Sequence, residues 1–553
     1  MKRLLMILSV FFLVMGSHTL AARESSGSEI FWCGDDDIPI VAELPPVNGE
    51  IPLAQLLHGF LAGDVQAGWL GVLSILMNSI NNFDNRNGDE GVTIYNPEMS
   101  WYGYTLLSAP HITPEGENHS ILIDMQGNII NEWPLYGFPA KMLPNGNVMG
   151  GIKGGDPDSQ DLTELVQMDW CGNQVWSWTG FGGEGGARWH HDYQREGNPV
   201  GYFSPYQLPL LQDGKTLILA HYFPTLAETC PDPINDRNNC ISEMELQDDV
   251  IYEVDWEGNI IWQWHAYEHY HQMGFDESAR EAIRTIHAPT GGCDITKTDW
   301  QHTNAISYLG PNIWYLKMGD ERFHPDNIIW DGRSSNITAI IARHDHPLGD
   351  WQSGDIVWKI GPDFSPGKDE HKLGQIIGQH MAHMIPINLP GGGNILLFDN
   401  GGYAGFGSLL PGLPPHFPNK LRDYSRVIEF DPRTFEIVWK YENKNPLDGE
   451  RKFFSSFISG AQRLPNSNTL ITEGVRGRVF EVTPQGEIVW EFISPFGAVP
   501  VDGCTNANSQ ALLPLASPIE SQEQGSANTV YPVYRAYRVP PWWLPENLDC
   551  TGQ

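Results

Sequence analysis

Positive charge is what this chain of 553 residues has least of: Lys and Arg number 33 against 68 Asp and Glu, for a formal charge of -35. A surface with that balance repels nucleic acid and anionic lipid, so neither is expected as a partner. An anionic substrate would have to be met by locally placed Arg and His. Cysteine is also sparse, with seven residues and no C-x-x-C pair to suggest zinc. Long apolar runs are nearly absent. The clearest, "LLMILSVFFLVMG", follows Lys2 and Arg3 and precedes "SHTLAA", which reads as an export signal over residues 1–22 ending near Ala21 or Ala22. It is too short for a comfortable membrane span. A periplasmic or secreted protein follows, and with it permission for disulfides. "CPDPINDRNNC" makes Cys230–Cys240 the first pairing expected, and Cys504–Cys550 the second. The odd count leaves at least one thiol free.

What is present is a repeat built on tryptophan. Residues 127–133 read "GNIINEW", 172–178 "GNQVWSW", 258–264 "GNIIWQW", 354–360 "GDIVWKI", 435–441 "FEIVWKY" and 486–492 "GEIVWEF". Each is a tight turn running into a strand of β-branched and aromatic residues, and an apolar strand ending in an acid precedes several of them, which spells a hairpin. A second hairpin type recurs beside it, with turns at "PNGN", "QDGK", "GGGN" and "PNSN". Six copies of a four-stranded unit predict an all-β fold, a six-bladed β-propeller. The copies are spaced 45, 86, 96, 81 and 51 residues apart, whereas a blade needs about 40 to 45. The middle blades therefore carry inserted loops, one of them ("EHYHQMGFDESAREAIRTIH") with a short helix. The tryptophans are expected to pack blades together. Residues 23–100 lie outside the repeats as an N-terminal extension with a probable-helix pattern in "IPLAQLLHGFLAGDVQAGWLGVLSILMNSI", and 101–540 form the propeller. "NNFDNRNGDEG" has the wrong acid spacing for a calcium loop.

In a propeller, inner strands of different blades converge on a central channel, so chemistry-bearing residues distant in sequence can meet there. Four stretches stand out: "RWHHDYQ" with His190, His191 and Asp192; "QHTNAIS" with His302 and Asn304; "DGRSSN" with Arg333; and "GQHMAHM" with His380 and His383. Simple strand alternation places His302 and Asn304 on one face and His380 and His383 on opposite faces. Each residue taken singly is more often structural.

Together these stretches resemble the bacterial arylsulfate sulfotransferases, six-bladed periplasmic propellers. The resemblance rests on His-His-Asp, His-x-Asn, "NIIWDGR" followed by Ser, Gln-His-x-Ala followed by "LFDNG", and the repeated "IVW" strands. It implies a PAPS-independent enzyme that moves a sulfuryl group from an aryl sulfate donor to a phenolic acceptor, in two steps through a sulfohistidine. It also implies His380 as nucleophile, with His191, His302 and Arg333 catalytic, Asn304 and His190 binding substrate, and neither metal nor cofactor. The residue types suit that chemistry independently. A guanidinium forks onto sulfuryl oxygens, Asn and His add directed donors, and a neutral imidazole is a competent nucleophile. Three other readings share the fold: a non-catalytic binding propeller, a metal-dependent hydrolase using the histidines with Asp192 or Asp399, and a quinone-dependent dehydrogenase.

Overall fold

The computed structural model describes residues 29–30, 42–43, 90–112, 118–152, 161–180, 187–285, 297–408, 419–443, 453–496 and 533–550. The export signal, the helix expected within 51–80 and Cys504 lie outside the described residues. The chain is mostly β and forms six antiparallel blades. From the inner to the outer edge, blade 1 is Ala536–Val539, Tyr104–Ile112, Asn118–Ile123 and Ile129–Trp133. Blade 2 is Tyr136–Met142, Val148–Ile152, Glu164–Met168 and Gln174–Trp178; blade 3 is Trp189–Arg195, Thr216–Tyr222, Glu245–Val254 and Ile260–His265. Blade 4 is Thr303–Tyr308, Ile328–Gly332, Ile337–Ile341 and Ile356–Ile360; blade 5 is His380–Met384, Ile395–Asp399, Arg426–Phe430 and Ile437–Glu442. Blade 6 is Gly460–Arg463, Thr469–Glu473, Arg478–Val482 and Ile488–Ile493, with Gly91–Tyr95 added outside. The first strand of each blade packs against its neighbours in a closed ring.

The ring is closed from both ends of the chain. Gly91–Tyr95 pairs with the outer strand of blade 6, so the sheet takes up residues that the sequence reading assigned to the extension. Ala536–Val539 supplies the inner strand of blade 1. Beyond it, Cys550 is bonded to Cys171 in the outer turn of blade 2. That corrects the expected Cys504–Cys550 pair: folding the tail back onto blades 1 and 2 brings Cys550 to a partner 379 residues away. Cys230–Cys240 is formed as expected. Disulfides are consistent with a periplasmic or extracellular protein, and no described helix is long and apolar enough to cross a membrane.

The tryptophan repeat now has a physical account. Every copy is the outer strand of a blade, and its indole N–H reaches a backbone carbonyl in the outer turn of the next blade. Trp133 donates to Asp169, Trp178 to Gly258, Trp264 to Gly354, Trp358 to Pro432, Trp439 to Pro484 and Trp490 to Met125, at 2.8–3.2 Å. The last of these returns to blade 1. Three of the accepting turns are built alike. Asp124, Asp169 and Asp255 each accept the N–H four residues on, and Gly127, Gly172 and Gly258 take φ of +82° to +87°, a region glycine enters without steric cost. Between blades lie apolar layers, for example Ile329, Ile340 and Trp358 of blade 4 against Leu397, Ile428 and Phe430 of blade 5. The long insertion of blade 3 carries a helix, Glu277–Thr285, and a strand, Lys297–Asp299, parallel to Glu245–Gln247.

Candidate active site

The inner strands do not run as regular ladders. Register breaks between Trp189 and Tyr193, between Thr303 and Ala305, and between His380 and His383. In or beside each break one residue has positive φ: His191 at +55°, His302 at +48° and Met381 at +54°. Bulges re-aim side chains and are frequent at functional sites, and a non-glycine residue held there stores about 1–3 kcal/mol. Three blades thus bend their inner strands at the same end.

The bends bring histidines from three blades together. The His191 and His302 rings lie 4.7 Å apart, and the pair is close enough to His380 for their charges to act on it or it on them. Arg333 is buried, and its backbone N–H donates to the carbonyl of His302 at 3.2 Å. Asn304 donates from Nδ2 to the carbonyl of Gln379, the residue before His380, at 3.1 Å. His190 does not join the group. It is fully buried behind His191, with its ring stacked 3.7 Å from that of His221.

Parity arguments fail where the bulges are. His380 pairs with Phe398 and His383 with Leu396. Phe398 and Leu396 share a face, so His380 and His383 do too. The expectation of opposite faces is wrong because the bulge at Met381 adds a residue to one strand. Likewise His302 sits just outside its strand, so alternation does not explain its relation to Asn304. What separates the two histidines of blade 5 is bonding. His383 donates from Nδ1 to the carbonyl of Met381 at 2.8 Å, and its Nε2 accepts the hydroxyl of Tyr202 at 2.9 Å. Both nitrogens are engaged in holding the channel interior.

His380 is arranged differently. Its Nδ1 faces two acceptors, the carbonyl of Gly378 at 3.1 Å and Oδ1 of Asn400 at 2.7 Å. The Asn400 amide is oriented by its Nδ2, which donates to the carbonyls of Ser455 and Ile458. Nδ1 must therefore carry the proton, and the neutral ring keeps a lone pair on Nε2. Burial and then the Arg333 charge hold the pKa well below 6.5. Burial followed by His302 does the same for His191. His302 bonds through Nδ1 to Oδ2 of Asp299 at 2.6 Å.

Among the residues here that the sequence did not single out are Phe138, Asp299 and Asn400, and two more come from the tail. Tyr534 lies with its ring 6.1 Å from His191, edge-on to Phe138 at 5.4 Å, and its hydroxyl donates to the His191 carbonyl. Phe138 itself packs 4.3 Å from the His191 ring. Arg535 crosses below the site from blade 1 to Oδ2 of Asp192 at 3.0 Å and to the carbonyl of Asn304. The carboxylates considered as metal ligands are committed elsewhere: Asp192 to Lys141 and Arg535, and Asp399 to Arg422 and Arg426 at 2.7 and 2.6 Å. His190, His221 and Asp249 have ligand atoms within 4.8 Å of one another. The two rings are only 17° from parallel, so their lone pairs run in separate planes and do not converge on one ion.

The family model described as Arylsulfotransferase (ASST) matches residues 232–492. The match supports the arylsulfotransferase family. It covers His302, Asn304, Arg333 and His380, and stops short of His191 on one side and Arg535 on the other. The family suggests a sulfotransferase acting between a small aryl donor and acceptor. No curated protein matches the chain. Among solved structures, a protein of unknown function from Bacteroides caccae aligns with a TM-score of 0.34 at 10% identity, over 71% of this chain and 94% of that one. A putative 6-phosphogluconolactonase from Bacteroides fragilis aligns at 0.31 and 8%, over 72% and 97%. A periplasmic gluconolactonase from Pseudomonas aeruginosa aligns at 0.28 and 8%, over 71% and 96%.

Proposed function

We propose that this chain is a PAPS-independent aryl-sulfate sulfotransferase that works by ping-pong through sulfo-His380. The observation that carries the reading is the fixed tautomer of His380, which keeps Nε2 unprotonated beside a buried guanidinium. Arg333 holds the donor's sulfuryl oxygens, and Nε2 attacks sulfur as the bond to the aryl oxygen breaks. The Nδ1–H, held by Gly378 and Asn400, keeps positive charge on the sulfonated ring, which weakens the N–S bond and readies it for transfer. In the second step the phenol oxygen attacks sulfur, the electron pair returns to Nε2, and neutral His191 takes the phenolic proton. That proton then leaves with the phenolate released from the next donor, or goes to solvent where that phenolate is too weak a base to take it. Phe138 and Tyr534 form an aromatic wall beside His191 for the aryl groups. Lys420, Arg422 and Arg426 line a pocket beside Ile377, giving an anionic donor a locally positive approach on an acidic protein.

The test is a chromogenic aryl sulfate incubated with and without phenol. Turnover should rise with acceptor concentration, persist in chelator and give parallel double-reciprocal lines. Without acceptor the enzyme should gain the mass of one sulfuryl group, and His380→Asn should abolish both the gain and the transfer. An adduct that still accumulates in His380→Asn refutes the assignment.

A further inference from the structure

Behind His191 lies a chain of buried polar groups that the proposed reaction does not use. His190 Nδ1 is 2.7 Å from His191 Nδ1, and His190 Nε2 is 3.3 Å from Oδ1 of Asp249. The other Asp249 oxygen accepts the N–H of Thr303 at 2.7 Å. His190, Asp249 and Thr303 are all buried. Only one of two facing Nδ1 atoms can carry a hydrogen. The carboxylate decides which by its charge. The approach is too angled for a full hydrogen bond, but an unprotonated Nε2 on His190 would turn a lone pair toward Oδ1, whereas an N–H is attracted to it in a water-poor interior.

The protons therefore fall in one order. His190 carries its hydrogen on Nε2 toward Asp249, its Nδ1 is bare, and His191 must donate its own Nδ1–H. The neutral His191 ring is left with a lone pair on Nε2. The other groups around this chain hold it in place. His221 stacks on His190 and bonds through Nδ1 to Asp161, while the Gln247 amide lies 3.0 Å from its Nε2. Arg188 stands 3.7 Å from the far oxygen of Asp161. Around His191 are His302, His380, Phe138 and Tyr534.

We propose that Asp249 and His190 are positioning residues that fix the tautomer of His191, so that it meets the acceptor phenol as a proton acceptor. The proposal rests on the sulfotransferase reading above and adds what makes His191 its base. In the transfer step the O–H bond of the phenol breaks, its proton goes to His191 Nε2, the new O–S bond forms and the N–S bond to His380 breaks. Asp249 and His190 exchange no proton. They stabilise the imidazolium that forms, as an oriented carboxylate does for a catalytic histidine.

Asp249→Asn makes the test sharp. The N–H of Thr303 needs an acceptor, so the new amide must turn its oxygen there and its NH2 toward His190. Every hydrogen in the chain then reverses, and His191 is left with Nε2–H, the wrong form for a base. Both half-reactions are measured on one preparation: adduct formation from 4-nitrophenyl sulfate, whose nitrophenolate leaves without a proton, and discharge of the adduct to phenol. Adduct formation should be unchanged, and discharge should fall by about 10²–10⁴, the usual value of a positioned base. His190→Phe, which keeps a stacking ring but no nitrogen, should slow discharge alone by about 10–100-fold, as loss of an orienting partner does. Equal losses in both half-reactions would mean a merely structural role and overturn the proposal, as would unchanged discharge in Asp249→Asn. One bound metal per chain in the wild type, with discharge lost on chelation, would overturn it too. A wild type that never forms an adduct would bring down the covalent reading first, and this proposal with it.

Discussion

The outer and inner edges of the blades follow different rules. At the outer edge six strands repeat one sequence, take one conformation and pass one hydrogen bond to the next blade. At the inner edge no two strands share a sequence, those of blades 2 to 5 are bent by register breaks, and buried charges cross the channel between blades. Repetition at the rim fixes the distance between blades, and irregularity at the axis uses that fixed frame to aim side chains. The contrast implies that rim changes should lower stability in small, separable amounts, whereas axis changes should couple stability to chemistry.

The largest effect should come from Arg535→Met. Arg535 is fully buried and bridges blade 1 to Asp192 of blade 3 and to Asn304 of blade 4. Its removal leaves Asp192 with Lys141 as its one remaining cationic partner, beside the N–H groups of Tyr193 and Ile306, and takes the Arg535 donor from the Asn304 carbonyl. Breaking one partner of such a buried network costs about 3–5 kcal/mol, measurable by chemical denaturation, and activity should fall with it. Stability lost without any loss of activity in the remaining folded enzyme would separate the two roles of the axis and weaken the comparison.

His383 should make the axis sensitive to acid. Burial, with Arg535 adding to it, lowers its pKa from 6.5 to about 4. A depressed folded value means that the stability it contributes is complete above the unfolded value and is lost as pH falls through the window from 6.5 to about 4. At about 1.4 kcal/mol per tenfold change in proton activity, the loss approaches about 3 kcal/mol. Denaturation midpoints at pH 7, 5.5 and 4 would measure it, and His383→Asn should reduce the dependence by about that amount. The share of buried His380 and His191 would remain, and adduct formation should stay largely intact. A His383→Asn enzyme with unchanged acid sensitivity would move the effect to another buried group.

Arg333→Lys keeps the charge but loses the planar fork. The expected loss in kcat/KM is about one to three powers of ten, comparable to removing one preorganised donor, with little change in stability. A loss of stability instead would make Arg333 part of the frame.

Legibility in the sequence followed the same division. The rim was readable because "IVW" recurs with a turn before it, so blade number and outer strands followed from repetition alone. At the axis, His191, His302, Arg333 and His380 could be singled out as candidates, since each lies in a stretch beside a different hairpin of the repeat. Their geometry was not readable, because strand alternation presumes a regular ladder and the bulge at Met381 broke it for His383. Asn400 stood in the quoted "LFDNG" without its role as partner of His380 being visible. Tyr534 and Arg535 were out of reach for a third reason. Their strand joins blade 1 from the far end of the chain, and Ala536 pairs with Leu107, a contact no local pattern announces. The Cys171–Cys550 bond escaped on the same ground.

The smallest effect should belong to the rim. Trp358 is buried on the outer strand of blade 4, and its Nε1–H donates to the carbonyl of Pro432 in blade 5 at 2.8 Å. Trp358→Phe keeps most of the apolar contact with Phe435, whose ring stacks 6.0 Å away, and deletes the hydrogen bond. One such bond contributes about 0.5–1.5 kcal/mol net, so the denaturation midpoint should shift by that amount. The same change at Trp264, which donates to Gly354 one blade earlier, should cost a similar amount, and the pair should add, because the two bonds share no partner. The rate of adduct formation should not move in either variant. If it does, the rim is not a passive frame: the spacing between blades 4 and 5 reaches His380 through its own inner strand, and the separation between the two edges would have to be given up.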